Sequence, residues 1–261
     1  MSGTQITADI SCVMPPYKGI YTSVFLIRTP EGALLFDAAS YETDIRDIVL
    51  PWLTEQGITP DELKYVFISH KHDDHAGGLP TLLETFPDIC IATQSVGLRE
   101  KYGEGKFLAP QDGELLLGCL RVVSIPGHTA DSAALLDIRT GTLVCGDCLQ
   151  LHGIFGMGKW GANIPYPTEH RRAVARLRQM SIETVVMAHD YYPVGRICRG
   201  RKEIGAALDA CIAPLDRIAG LIAAHPDMDD DAVCALYNDA PMTPTLGVHV
   251  VRAVRRTMAQ A

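Results

Sequence analysis

Residues 64–80 read KYVFISHKHDDHAGGLP, and the reading of this stretch decides the fold. KYVFI has the composition of a short buried strand, and GGLPTLLETFP opens a helix. Between them, at 69–75, SHKHDDH crowds three of the chain's nine histidines among acids on a strand-to-helix loop. A single buried histidine is usually an ordinary core residue, but His70, His72, Asp74 and His75 are four potential ligands within six positions. Side chains so spaced converge on one point only if the backbone turns between them, and Ala76-Gly77-Gly78 is expected to supply that freedom and a helix start.

Upstream, ITADISCVM, TSVFLIR and ALLFD predict an antiparallel strand series punctuated by Pro-Pro and Pro-Glu-Gly. ETDIRDIVLPWLTEQG has helical spacing, with Pro51 expected to kink it and Gly57 to close it. Downstream, DICIAT, ELLLG, LRVVSIP, SAALLDI and TLVCGD predict strands. PTEHRRAVARLRQM predicts a helix capped by Thr168, and TVVMAHD a last strand. Two strand-rich halves separated by helices predict an α/β fold of four layers, an αββα sandwich, over residues 1–198. GRKEIGAALDACIAPLDRIAGLIAAH, DMDDDAVCALYND and TLGVHVVRAVRRTMAQ predict helices, so 199–261 is expected to be a C-terminal helical appendage.

At 261 residues, 47% hydrophobic and 21% charged, the chain can bury a full core. Its net charge of -8 and the lack of a long basic run argue against nucleic acid or an anionic membrane as partner. The N-terminal sequence shows no signal-peptide pattern and no segment has the length of apolar residues a membrane helix needs, so a cytoplasmic protein is expected. The eight cysteines fit reduced thiols, and the lone Cys145-x-x-Cys148 is weak evidence for redox or zinc duty.

Three further residues each follow a predicted strand: His128 after VVSIPG, Asp147 after TLVCG and His189 after TVVMA. A rigid sheet fixes such positions while the loop leaves the side chain available. Imidazoles and carboxylates in this number suit zinc, iron or manganese.

The ordered series His70-x-His72-x-Asp74-His75, His128 in PGHT, Asp147 in CGDC and His189 in AHD resembles the ligand series of the metallo-β-lactamase superfamily. Asp37, in LLFDAA, matches that family's acidic residue at the end of an early strand, and the resemblance spans roughly residues 7–195. It implies the αββα fold and two divalent metal ions, zinc first, with iron and manganese as alternatives. His70, His72 and His128 would hold one ion, Asp74, His75 and His189 the other, and Asp147 would bridge them. Asp37 would orient a ligand histidine or serve as a strand-end turn residue.

Two such cations sharing a water lower its pKa and supply hydroxide at neutral pH. The sequence has no G-x-S-x-G elbow and no cysteine in a recognisable catalytic setting. Asp74 is the candidate catalytic residue, both ligand and proton acceptor. Asp147 and His75 resemble the glyoxalase II, lactonase and acyl-thioesterase branches, which implies hydrolysis of a thioester, lactone or ester of a small acyl substrate. True β-lactamases usually lack the bridging carboxylate, and flavodiiron oxidases carry Glu in place of His72. The segment CLQLHGIFGMG departs from the glyoxalase II pattern, which sets lactoylglutathione apart.

Trp160, Tyr166, Tyr191 and Tyr192 are candidates to wall an acyl pocket, together with His152 and Phe155. Arg199, in a cluster with Arg196, Arg201 and Lys202, is the candidate to grip an anionic thiol carrier. A homodimer is compatible with the sequence. Two other readings stay open: a mononuclear-iron persulfide dioxygenase, separated by its metal, and a regulatory binding protein that retains the site.

Overall fold

A computed structural model describes residues 3–156, 160–240 and 244–260, and the chain divides into two compact units. The first unit takes residues up to Ser124 together with Ala133–Arg139. Its sheet is built from β1 (Thr4–Gln5), β2 (Ile10–Val13), β5 (Val24–Thr29), β6 (Gly32–Phe36), β7 (Leu63–Ile68), β8 (Cys90–Thr93) and β9 (Phe107–Leu108), in that order. Pairing is antiparallel as far as β6 and parallel beyond it. Between β2 and β5 a small hairpin, β3 (Pro16–Tyr17) and β4 (Ile20–Tyr21), turns at Lys18 and Gly19, both at positive φ.

Parallel neighbours need crossovers, and helices supply them. α1 (Glu42–Asp44) and α2 (Leu50–Glu55) join β6 to β7, α3 (Asp73–Ala76) and α4 (Leu79–Thr85) join β7 to β8, and α5 (Val96–Tyr102) joins β8 to β9. The kink expected at Pro51 takes the form of a π-helical segment, Ile45–Val49, in which the Leu50 N–H reaches back to the Ile45 carbonyl. Proline has no N–H and its ring collides with the carbonyl four residues back, and the wider turn makes room for it. Ile45, Val49, Trp52, Leu79, Leu82 and Leu98 pack on Leu26, Leu35, Val66 and Ile91 of the sheet. Each such side chain contributes roughly 1.5–3 kcal/mol by leaving water. β10 (Leu115–Leu116), β11 (Leu120–Ser124) and β12 (Ala133–Asp137) pair antiparallel in sequence order, so only two residues of ELLLG are extended.

The second unit holds Ile125–Ser132 and the chain from Thr140 onward. Here β13 (Thr142–Cys145) pairs parallel with β14 (Thr184–Tyr191), the α6 helix (Pro167–Leu177) lying between them in sequence. Thr168 is not the cap of α6: Tyr166 holds the N-cap position and Pro167 the first helical one, where a missing N–H costs nothing. TVVMAHD is not the last strand either, because β15 (Gly195–Arg199) returns antiparallel to β14.

α7 (Gly200–Ala224), α8 (Asp230–Asn238) and α9 (Val248–Met258) follow as expected. Leu215, Ile218, Val233, Tyr237, Val250 and Val254 share one core with Ala162 and Ile164, and α7 touches α6, β14 and β15. The helical tail is therefore part of the second unit. No helix among the described residues is long and apolar enough to cross a membrane.

All eight cysteines are free thiols. A hydrogen bond with Cys145, then burial, pushes the Cys148 thiol well above its ordinary range, which leaves a protonated and unreactive sulfur.

His170 of α6 is fully buried and neither ring nitrogen makes a well-formed hydrogen bond. Burial lowers its pKa from 6.5 to about 4, against a weak opposing pull from the Cys211 main chain. The folded state thus keeps this imidazole neutral while the unfolded chain protonates it below pH 6.5. Stability is lost as pH falls from 6.5 towards 4, by roughly 3 kcal/mol from this group. His170→Leu should be less acid-sensitive than wild type in urea unfolding across that window; parallel pH profiles would contradict this.

Candidate metal centre

In the first unit, β7 delivers Ser69, whose carbonyl is held by the Ala133 N–H at 2.9 Å. His72 occupies the N-cap of α3, so Asp73, Asp74 and His75 form its first turn. The expected backbone freedom is not the role of Gly77 and Gly78, which both have ordinary helical φ of -65° and -84°. Close approach is. A Cβ on Gly77 would lie 1.9 Å from the Ser40 carbonyl oxygen, and one on Gly78 2.2 Å from Ile45.

This turn brings His70, His72, Asp74 and His75 together. The His70 Nε2 lies 3.0 Å from His72 Nδ1, and the His75 Nε2 lies 3.4 Å from Asp74 Oδ2. Asp37, fully buried at φ 65°, accepts from the Ser69 N–H at 2.8 Å, the Ser69 hydroxyl at 3.0 Å and His75 Nδ1 at 2.6 Å. It stands at the end of β6 and fixes the orientation of the His75 ring. Burial pushes its carboxyl up, while His75 and Ser69 oppose that.

These bonds assign the tautomers. Asp37 keeps the His75 proton on Nδ1, so Nε2 turns a lone pair towards Asp74. The Ser69 hydroxyl, having donated to Asp37, accepts from His70 Nδ1 at 3.0 Å and leaves the His70 Nε2 lone pair facing His72. Two imidazole nitrogens 3.0 Å apart must share a proton or a cation.

In the second unit, His128 follows β11, Asp147 follows β13, and His189 lies within β14. Gly127 makes the loop possible, since a Cβ there would come 2.5 Å from His170 Nδ1. Asp147 Oδ1 is 3.1 Å from His189 Nε2, and Oδ2 is 3.6 Å from His128 Nε2. One carboxylate thus turns an oxygen towards each of two imidazoles. His128 Nδ1 donates to the Asn163 carbonyl at 2.9 Å, which again leaves Nε2 as the lone-pair nitrogen. The donor set in each unit fits a divalent cation: neutral imidazole nitrogens and carboxylate oxygens, with the opposite ring nitrogens anchored.

The candidate pocket residues fare unevenly. Tyr191 is fully buried and its hydroxyl donates to Asp147 Oδ1 at 2.8 Å, so it holds the carboxylate and walls no open pocket. Tyr192 is half-buried, its ring edge-on to His152 at 5.9 Å and Phe155 at 5.4 Å. Trp160 is half-buried, its carbonyl accepting from Ile154, and Tyr166 is exposed at the start of α6.

Arg199 is not brought to His189. It pairs with Thr184 at the start of β14, on the order of 15 Å along the strand from His189. Arg201 and Lys202 open α7 at that same end. Among the described residues, Arg217 is a basic group near the loop after Asp147, stacked over the Tyr237 ring at 4.4 Å and close enough to His152 to help lower its pKa, behind burial. Arg217, Gln150 and Asn163 carry no motif by which the sequence could have pointed to them.

The family model described as Metallo-beta-lactamase superfamily matches residues 17–189. The chain belongs to that superfamily. Its α/β architecture with C-terminal helices is accordingly the metallo-β-lactamase fold. A metallo-beta-lactamase family protein from Thermus thermophilus is similar at 17% identity and a TM-score of 0.69, over 98% of this chain and 95% of that one. A flavo di-iron protein mutant from Thermotoga maritima is similar at 17% identity and a TM-score of 0.66, over 83% of this chain and 62% of that one.

Among curated relatives, the hydroxyacylglutathione hydrolase of Thermosynechococcus vestitus is 32% identical over 175 residues, 64% of this chain and 63% of its own length. The atrochrysone carboxyl ACP thioesterase of Emericella nidulans is 24% identical over 236 residues, 88% of this chain and 74% of its own length. The chain spans about half the length of several other relatives, as with the 52% of the Hamiltonella defensa hydroxyacylglutathione hydrolase.

Proposed function

We propose that this chain hydrolyses a small activated acyl bond, a thioester first, with ester or lactone as alternatives, at a dinuclear metal centre. His70, His72 and His128 would hold one cation and Asp74, His75 and His189 the other, with Asp147 shared between them; the groups His70, His72, His128 and Asp74, His75, Asp147, His189 are each close enough to hold an ion. The observation that carries this reading is the Asp147 carboxylate, which turns one oxygen to His128 and the other to His189. Zinc suits the donor set, with iron or manganese as alternatives. When bound, two such cations lower the pKa of a shared water towards 7 and polarise an acyl carbonyl.

The chain's own residues do the rest. Asp74 Oδ2 takes up the proton released as water attacks, and the Thr22 hydroxyl, donating to it at 3.4 Å, orients that oxygen. Asp37 keeps the His75 proton on Nδ1, and Tyr191 pins Asp147. The choice of thioester draws support from two relatives named for acyl groups on carriers, glutathione in one and an acyl carrier protein in the other.

A panel of acyl-glutathione, acyl-pantetheine and lactone substrates tests the reading. Turnover of a thioester that chelation abolishes and added zinc, manganese or iron restores is expected. A fully metal-loaded protein inert towards the whole panel would overturn it.

A further inference from the structure

Asn163 commits its main chain and its side chain to one network in the second unit. Its carbonyl accepts from His128 Nδ1 at 2.9 Å, and its N–H donates to Gln150 Oε1 at 2.7 Å. The other end of the Gln150 amide, Nε2, donates to the Asp147 carbonyl at 2.7 Å. Gln150 is 3% exposed, and its bond to the Asp147 carbonyl is buried. The Asn163 Oδ1 accepts from His249 Nε2 at 2.7 Å, and His249 stands on α9, 86 residues further along the chain.

A buried amide with both ends used is a rigid strut, because each bond it would lose leaves a polar group without a partner. We propose that Gln150 and Asn163 form a bracket that fixes His128 and Asp147 relative to each other, and that His249 ties this bracket to the C-terminal helices. The inference rests on the metal-site reading above and assigns its positioning residues. Gln150 and Asn163 act through two ligands and touch neither substrate nor metal. The appendage thereby gains a role beyond its own packing, since a shift of α9 moves the Asn163 side chain and, through its main chain, the His128 ring.

Groups that orient metal ligands typically change affinity by about 10–100-fold when removed. Gln150→Ala should weaken zinc binding in that range. Asn163→Ala leaves both main-chain bonds in place and cuts only the link to His249, so it and His249→Ala should each weaken zinc by a few-fold. The double variant should be no weaker than either, because one contact is removed twice. Asn163→Asp keeps an acceptor for His249 and should recover most of the loss.

Zinc affinity by chelator competition and the visible spectrum of the cobalt(II)-loaded protein read the result, with thermal unfolding as the control for folding. Altered cobalt(II) bands in Gln150→Ala, and in His249→Ala, which changes an exposed residue, are expected. Wild-type zinc affinity and unchanged bands in all three alanine single variants overturn the bracket while the metal site stands. Wild-type protein that takes up neither ion overturns the site reading and the bracket with it.

Discussion

Asp147→Ala and His72→Ala are each expected to yield a folded protein that has lost metal and turnover together. Asp147 faces two imidazoles and the Tyr191 hydroxyl, so its removal takes away a shared carboxylate and one acceptor of a fully buried phenol. The lost hydrogen bond costs about 0.5–1.5 kcal/mol of stability, tolerable for a chain with cores in both units. His72 is half-buried at the start of a four-residue helix, and its loss removes one neighbour of the His70 Nε2 with little packing cost. Losing a cation forfeits several kcal/mol of transition-state stabilisation, on the order of 10³-fold in rate. Metal analysis, thioester turnover and circular dichroism on the same preparations check this, and a variant with full metal and full activity would remove that residue from the ligand set.

Asp37→Asn should be nearly as damaging without changing the shape of the side chain. The carboxylate accepts three hydrogen bonds from Ser69 and His75. An amide has only one acceptor oxygen, so either orientation sets one donor against another donor. If the nitrogen faces His75, the ring must move its proton to Nε2 and can no longer offer that atom to a cation. Metal affinity is expected to fall by about 10–100-fold with the fold intact. Asp37→Ala, which removes the buried acceptor that Ser69 and His75 share, should instead lower stability by about 1–3 kcal/mol. Chelator competition and urea unfolding separate the two effects; wild-type metal affinity in Asp37→Asn would show that the tautomer does not matter.

The candidate ligand histidines and aspartates were legible because they follow or end strands whose apolar runs are unambiguous, His189 standing within β14, and because four of them share one loop. Asp37 was legible for the same reason. β15 escaped because GRICR is short and interrupted by arginines, and with it went the true position of Arg199. α5 escaped although Ser95 caps it by accepting from Leu98, since VGLREKY has little apolar periodicity. Gly77 and Gly78 were singled out correctly, but for backbone freedom where the structure has close approach. The Gln150 and Asn163 bracket could not be read from the sequence, because its bonds run partly through main-chain atoms and join residues 13 apart.

The dinuclear centre is most directly tested by the metal content per chain of the purified protein, measured by elemental mass spectrometry. About two zinc, iron or manganese ions per chain are expected, falling with Asp147→Ala. One ion per chain at saturation, unchanged by Asp147→Ala, would contradict a centre in which that carboxylate is shared.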